Sequence, residues 1–169
     1  GDDTLDGLGG NDTLDGGFGN DSILGGDGDD SVLAGPGNDT VHGGDGNEYI
    51  AASYGADIIY GEGGNDQIFI ETPDNADDVA YGGDGNDYIV ASRFNTGGTD
   101  SIYGGAGSDT ILGGPNLYVD GGSGAGETDY LSFDQDSSVG AHVVFTATGQ
   151  GTATIAGGVP GDRKRDAVL

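Results

Sequence analysis

A single aliphatic side chain recurs at every ninth position from the start of the chain: Leu5, Leu14, Ile23, Val32, Val41, Ile50, Ile59 and Ile68. The residues beside it vary, as in Ser22-Ile23-Leu24 and Thr40-Val41-His42. Successive side chains of a strand point to opposite faces, so this pattern predicts a three-residue strand with one inward side chain. The six residues before each strand are turn-formers, for example Gly16-Gly17-Phe18-Gly19-Asn20-Asp21. Glycine there reaches φ > 0 at little steric cost. One nonapeptide is thus a turn plus a strand, and two nonapeptides complete a coil of 18 residues. Coils stacked as parallel strands about 4.8 Å apart form a flattened rod with an aliphatic ladder inside.

A second period runs in phase with the first. Two residues before each aliphatic stands an acid: Asp3, Asp12, Asp21, Asp30, Asp39, Glu48, Asp57 and Asp66. Repeats two apart lie above one another, so the acids sort onto two edges of the rod. One edge stacks Asp12, Asp30, Glu48, Asp66, Asp87 and Asp109. The other stacks Asp3, Asp21, Asp39 and Asp57, then Asp78 and Asp100 after insertions. The first edge keeps near-consensus turns, from GLGGND to GGAGSD. The second decays to Ala52-Ser53-Tyr54-Gly55-Ala56-Asp57, then gains three residues before Asp78 and four before Asp100. The expectation is a continuous cation column on the first edge and a shorter one on the second. Glu48 is the odd acid, and its extra methylene is expected to weaken the sites it shares with Asp30 and Asp66.

Charge explains why cations enter the argument. Thirty acids face four bases among 169 residues, a net charge of −26, and Arg93 is the first base. No basic stripe exists to hold phosphates, which excludes a nucleic-acid partner, and an anionic membrane surface would repel the chain. One buried aliphatic per nine ordered residues is too thin a core to offset backbone entropy alone. The composition resembles disorder, whereas the strict repeat does not. A conditional fold reconciles the two: disordered while carboxylates repel, ordered when cations bridge them. Stacked turns offer carboxylates and glycine-exposed carbonyls, an all-oxygen set that suits Ca2+ better than Mg2+, which demands a tight octahedron. Zinc would need His or Cys, and the chain has only His42, His142 and no cysteine.

The unit G-G-x-G-x-D-x-U-x, with U a large aliphatic, resembles the repeats-in-toxin (RTX) family over residues 1–132, through roughly fourteen units. Such repeats form the C-terminal domains of type I-secreted bacterial proteins, the serralysin-like proteases among them. The resemblance implies an all-β fold, a right-handed parallel β-roll of 18-residue coils with calcium in the turns. It implies roughly five to nine ions, held by the ten acids Asp3 through Asp66, Asp87 and Asp109. Turn carbonyls, such as those of Gly26, Asp27, Gly28, Gly44, Asp45, Gly46, Gly83 and Gly85, would complete the sites. Export, folding outside the cell and a bacterial, extracellular setting follow from the resemblance alone. The partner would then be the rest of the parent chain, since the sequence begins inside a repeat at Gly1-Asp2-Asp3.

Regularity fails after Leu112. Residues 133–169 are expected to form an irregular β cap, with strands at Ala141–Thr146 and Gly151–Ile155 and a solvated tail around Arg163-Lys164-Arg165. No apolar run reaches membrane-spanning length. Catalytic motifs are missing too, so the chain is read as non-enzymatic, with any catalytic domain elsewhere in the parent protein. One pattern remains: His42, Tyr60, Tyr81 and Tyr103 share an outward face, and Leu33, Ala51, Phe69, Val90 and Leu112 share the opposite one. The first is either a structural ladder or an adhesive face for a glycan or protein.

Overall fold

In the computed structural model, residues 1–70, 74–91, 98–114, 117–122, 127–133 and 152–156 are described. The strands begin with β1 (Thr4–Asp6), β2 (Thr13–Asp15), β3 (Ser22–Asp27), β4 (Ser31–Leu33) and β5 (Thr40–Asp45). They continue with β6 (Tyr49–Ala51), β7 (Ile58–Gly63), β8 (Gln67–Ile70), β9 (Val79–Asp84) and β10 (Tyr88–Ala91). The last are β11 (Asp100–Ala106), β12 (Thr110–Gly113), β13 (Leu117–Asp120), β14 (Thr128–Phe133) and β15 (Thr152–Ala156). Odd strands β1 to β13 form one parallel sheet of seven; even strands and β15 form a second of eight. The chain is therefore a β-solenoid, crossing between sheets once per nonapeptide, with no helix among the described residues.

The register is the one the period demands. Ile23 pairs with Leu5 and Val41, Val41 with Ile59, and on the other sheet Ile50 pairs with Val32 and Ile68. All these inward residues except end-coil Leu5 are fully buried, and the ladder continues through Ala80, Ile89, Ile102, Ile111 and Leu131. The insertions do not interrupt it: Ile59 pairs with Ala80 and Ile68 with Ile89. Residues 71–73 and 92–97, within the two expanded turns, lie outside the described residues.

The two sheets differ in strand length. Odd strands from β3 to β11 continue into their turns, so Gly26 pairs with Gly44 and Asp27 with Asp45. Turn amides extend that ladder: Gly28 donates to the Asp45 carbonyl at 2.8 Å, and Gly85 to that of Ala106 at 2.7 Å. Even strands stop after three or four residues up to β12. The first-edge turns, which follow odd strands, are thus bonded coil to coil through their own backbone.

Both outward rows occur. His42, Tyr60, Tyr81 and Tyr103 are in register, with ring centroids 4.6, 5.0 and 4.7 Å apart and planes within 14° of parallel. Leu33, Ala51, Phe69, Val90 and Leu112 are in register on the other sheet, where Leu33 is exposed but Val90 is buried. Toward the C terminus, β14 pairs with β12, and β15 pairs with β14. The predicted strand at Gly151–Ile155 is found at Thr152–Ala156. The one predicted at 141–146 and the basic tail lie outside the described residues.

Candidate metal centre

The glycine-rich turns take left-handed backbone at their second and fourth positions, as at Gly26 (φ 108°) and Gly28 (φ 125°), whereas the turn at residues 52–57 takes it only at the fourth, Gly55 (φ 126°). Leu8 (φ 69°) and Glu62 (φ 77°) hold that second position without being glycine. The stack imposes the conformation on them, since L side chains rarely adopt it unaided. At the first turn position the reason for glycine is room. A Cβ on Gly25 would strike the Gly43 carbonyl oxygen and come 2.6 Å from Asp30 Oδ2. A Cβ on Gly16 would lie 2.5 Å from the Ala34 carbonyl oxygen and 2.7 Å from Asp21 Oδ2. Gly61, Gly82 and Gly104 repeat the arrangement with Asp66, Asp87 and Asp109. A carboxylate oxygen and a carbonyl oxygen of the next coil converge on the space a side chain would fill.

The repeat acid divides its two oxygens between two tasks. Oδ1 accepts a hydrogen bond from the backbone N–H of the acid one coil earlier. On the first edge Asp12 donates to Asp30 at 2.8 Å, while Glu48 donates to Asp66, Asp66 to Asp87 and Asp87 to Asp109, each at 2.9 Å. On the second edge the row runs without a gap from Asp3 through Asp21, Asp39, Asp57 and Asp78 to Asp100, stretching to 3.3 Å only at the last step. Oδ2 is buried and has no hydrogen-bond partner in Asp12, Asp21, Asp30, Asp39, Asp57, Asp66, Asp87 and Asp109. Buried polar atoms are rarely left so, and one that recurs coil after coil calls for a ligand.

Electrostatics points the same way. From Asp21 onward the stacked acids are at most 3 % exposed. Burial pushes Glu48 up to about 9, with the Asp66 charge adding to it. Burial likewise raises Asp57 to about 8, Asp78 and Asp109 to about 7 and Asp87 to about 6, partly opposed by the backbone N–H each accepts. A row of buried like charges needs protons or cations. Among the described residues, no three acidic or histidine side chains converge on one point. A cation here must therefore draw most of its ligands from main-chain carbonyls, a set suited to Ca2+.

The sequence-predicted residues are placed as follows. Asp3 is exposed at the end of the roll, 3.9 Å from the Gly1 ammonium. The other nine acids line the turns. Asp27 and Asp45 carbonyls already accept the Gly10 and Gly28 amides. The carbonyls of Gly26, Gly28, Gly46, Gly83 and Gly85 face Gly44, Gly46, Gly64, Gly105 and Gly107 of the following coil, each against the side where a Cβ would stand. The Gly44 carbonyl is set further back, 4.0 Å from a Cβ on Gly63. His42 lies on the outward face, its Nδ1 2.7 Å from Glu62 Oε1, and is no part of the turns.

Besides Asp129, whose Oδ1 extends the first-edge row by accepting the Asp109 N–H at 3.1 Å, two groups escaped sequence reasoning. One is the set of first-position carbonyls, those of Gly43, Gly61, Gly82, Gly104 and Gly121, which sit beside the free carboxylate oxygens. The other is a ladder made by the residue before each acid. Asn11 accepts the N–H of Asp29, Asp29 that of Asn47, Asn47 that of Asn65, Asn65 that of Asn86, and Asn86 that of Ser108. These side chains reach toward the following coil, opposite to the carboxylate ladder, so each turn is held from both sides. The signal was in the sequence, as a small polar acceptor immediately before the acid.

A stack of glycine turns with free buried carboxylates inside defines a cation-binding β-roll. The RTX calcium-binding nonapeptide-repeat model matches residues 1–23, 6–41, 24–52, 42–69, 74–95 and 96–115, and the chain belongs to that family. The family binds calcium, and its repeat roll is a structural module. No curated protein sequence and no solved structure matches the chain.

Proposed function

We propose that this chain is a calcium-dependent folding module, held by ions in its turns, that stabilises or aids export of a larger secreted bacterial protein. The observation that carries the reading is the free, buried carboxylate oxygen beside a glycine in successive coils. The ligands would be the free oxygens of Asp12, Asp21, Asp30, Asp39, Glu48, Asp57, Asp66, Asp87 and Asp109, with Asp3 at the exposed end. Carbonyls of the first, second and fourth turn positions complete each set. Bound calcium neutralises the facing carboxylates; the chain's own part is to present oxygens at fixed spacing and exclude water from them. A ligand that binds only the folded state stabilises it by mass action. Residues 133–169 would cap the open end, consistent with β15 extending the sheet beyond β14. No helix among the described residues is long and apolar enough to cross a membrane.

The adhesive reading of Tyr60, Tyr81 and Tyr103 gains nothing from the geometry. A sugar stacks on a ring face, and here Tyr60 and Tyr81 are stacked on both sides, by His42 at 4.6 Å and by neighbouring tyrosines at 5.0 and 4.7 Å, while Tyr103 lies between Tyr81 and a tilted Tyr118 at 5.7 Å. Those rings fit a structural ladder better.

The test is circular dichroism with chelator and then with millimolar calcium. Coil should become β as calcium is added. A β spectrum that survives proven removal of the metal would overturn the proposal.

A further inference from the structure

Glu48 departs from every aspartate in its row. Each neighbouring aspartate has one oxygen held by a backbone N–H and one free of any N–H, whereas both oxygens of Glu48 are buried and neither takes an N–H, its carboxyl lying against that of Asp66. The rung that Asp30 N–H would donate is therefore missing at this level alone on the first edge between Asp12 and Asp109. The longer side chain carries the carboxylate across the turn. A Cβ on Gly46 would lie 2.6 Å from Oε1, beside the Gly28 carbonyl. A Cβ on Gly43 would lie 3.2 Å from Oε2 and 2.7 Å from the Gly61 carbonyl oxygen. The residue is 1 % exposed, so water cannot screen either oxygen.

We infer that Glu48 makes its level the tightest calcium site of the roll, the one that fills first, by offering two carboxylate oxygens where each aspartate offers one. The inference rests on the calcium reading above and reverses what the extra methylene alone implied. Its physical basis is twofold. A carboxylate with both oxygens free can bind one ion bidentately, which raises coordination number and favours Ca2+ over Mg2+. Asp30 Oδ2, both Glu48 oxygens and Asp66 Oδ2 also place four buried carboxylate oxygens that meet no N–H on three consecutive levels, where three aspartates place three. The first cation to arrive relieves the most repulsion there.

The experiment is a calorimetric titration of the whole chain with calcium alone. The wild type should show one tight step followed by a weaker group. Glu48→Asp restores the rung and removes one free oxygen, so the tight step should weaken by about tenfold or more while later steps persist. Asp87→Glu should do the converse and add a second tight step, and it tests the idea even where Glu48→Asp fails to fold. A tight step unchanged in Glu48→Asp, or none gained in Asp87→Glu, overturns the inference about Glu48. Failure of the wild type to take up calcium at all would instead remove the calcium reading beneath it.

Discussion

The two edges of the roll share strands and the acid period, yet are built from different material. On the first edge, the first turn position is glycine at every level from Gly7 to Gly121. On the second it is Gly16, then Ala34, Ala52, Ile70 and Ala91, of which Ala34, Ile70 and Ala91 belong to the buried hydrophobic core. The acceptor ladder before the acid is unbroken on the first edge from Asn11 to Ser108. On the second it passes from Asp2 through Asn20 and Asn38, is interrupted at Ala56, which has no acceptor, and resumes where Asp77 accepts the Thr99 N–H. In the same turn Gly55 N–H goes to the Asp74 side chain rather than to a carbonyl above it. Insertions did not break the second carboxylate row; loss of glycine changed what fills the turn. An aligned acid marks a coil, while the glycine before it decides whether oxygen or carbon occupies the interior.

The largest test of this contrast is gradual calcium withdrawal followed by hydrogen exchange. First-edge amides such as Gly28, Gly46, Gly64 and Gly85 should stay protected at calcium levels where second-edge amides beyond Gly37 already exchange, by about tenfold or more in rate. Equal loss on both edges would erase the distinction.

Acid should be blind to the edge. Carboxylates on both edges have folded pKa values raised by burial, Glu48 and Asp87 on one, Asp57 and Asp78 on the other. The metal-free fold binds more protons than the unfolded chain, so its stability falls as pH rises. That stability is fully present below about pH 4, near the unfolded values, and is lost as pH climbs through about 6 to 9. Circular dichroism in chelator should show β structure at pH 4 and coil at pH 8, and calcium should abolish the dependence near neutrality. A metal-free fold that strengthened with rising pH would contradict the buried-carboxylate account.

Smaller effects separate single positions. Gly82→Ala drives a methyl into the Gly104 carbonyl and Asp87 Oδ2, and should cost about 1–3 kcal/mol or one bound ion. Ala91→Gly, at the corresponding second-edge position, should cost only about 0.5–1 kcal/mol. Thermal melts in saturating calcium compare them, and equal losses would mean that room at the first position is not the difference. Smallest is Ala56→Asn, which supplies the missing acceptor and should gain about 0.5–1 kcal/mol, while Asn65→Ala should lose a similar amount. A neutral Ala56→Asn would show that the ladder is decorative on that edge.

Much of this was legible because the stack repeats a local rule. Ile23, Val41 and Ile59 announce an inward row, and the nine-residue period places Asp30 above Asp12 without any knowledge of coordinates. What a sequence cannot say is which oxygen of Asp30 takes the N–H and which stays free, since that depends on the height of one coil above another. Nor could it show that Glu48 forgoes the bond, or that Leu8 accepts left-handed backbone between stacked neighbours. The Asn11 to Ser108 ladder was hidden for another reason: asparagine in a turn already has a sufficient local explanation.

Alternation between sheets gives the molecule a parity. Removing nine residues would leave every later strand well formed yet move it to the opposite sheet, shifting Tyr60, Tyr81 and Tyr103 across the rod and setting alanine-containing turns over glycine ones. Removing eighteen would shorten the rod and leave the phase of everything downstream untouched. The unit that can be duplicated or lost without scrambling either surface is therefore the pair of repeats, so the length of such a roll is free to drift only in even steps.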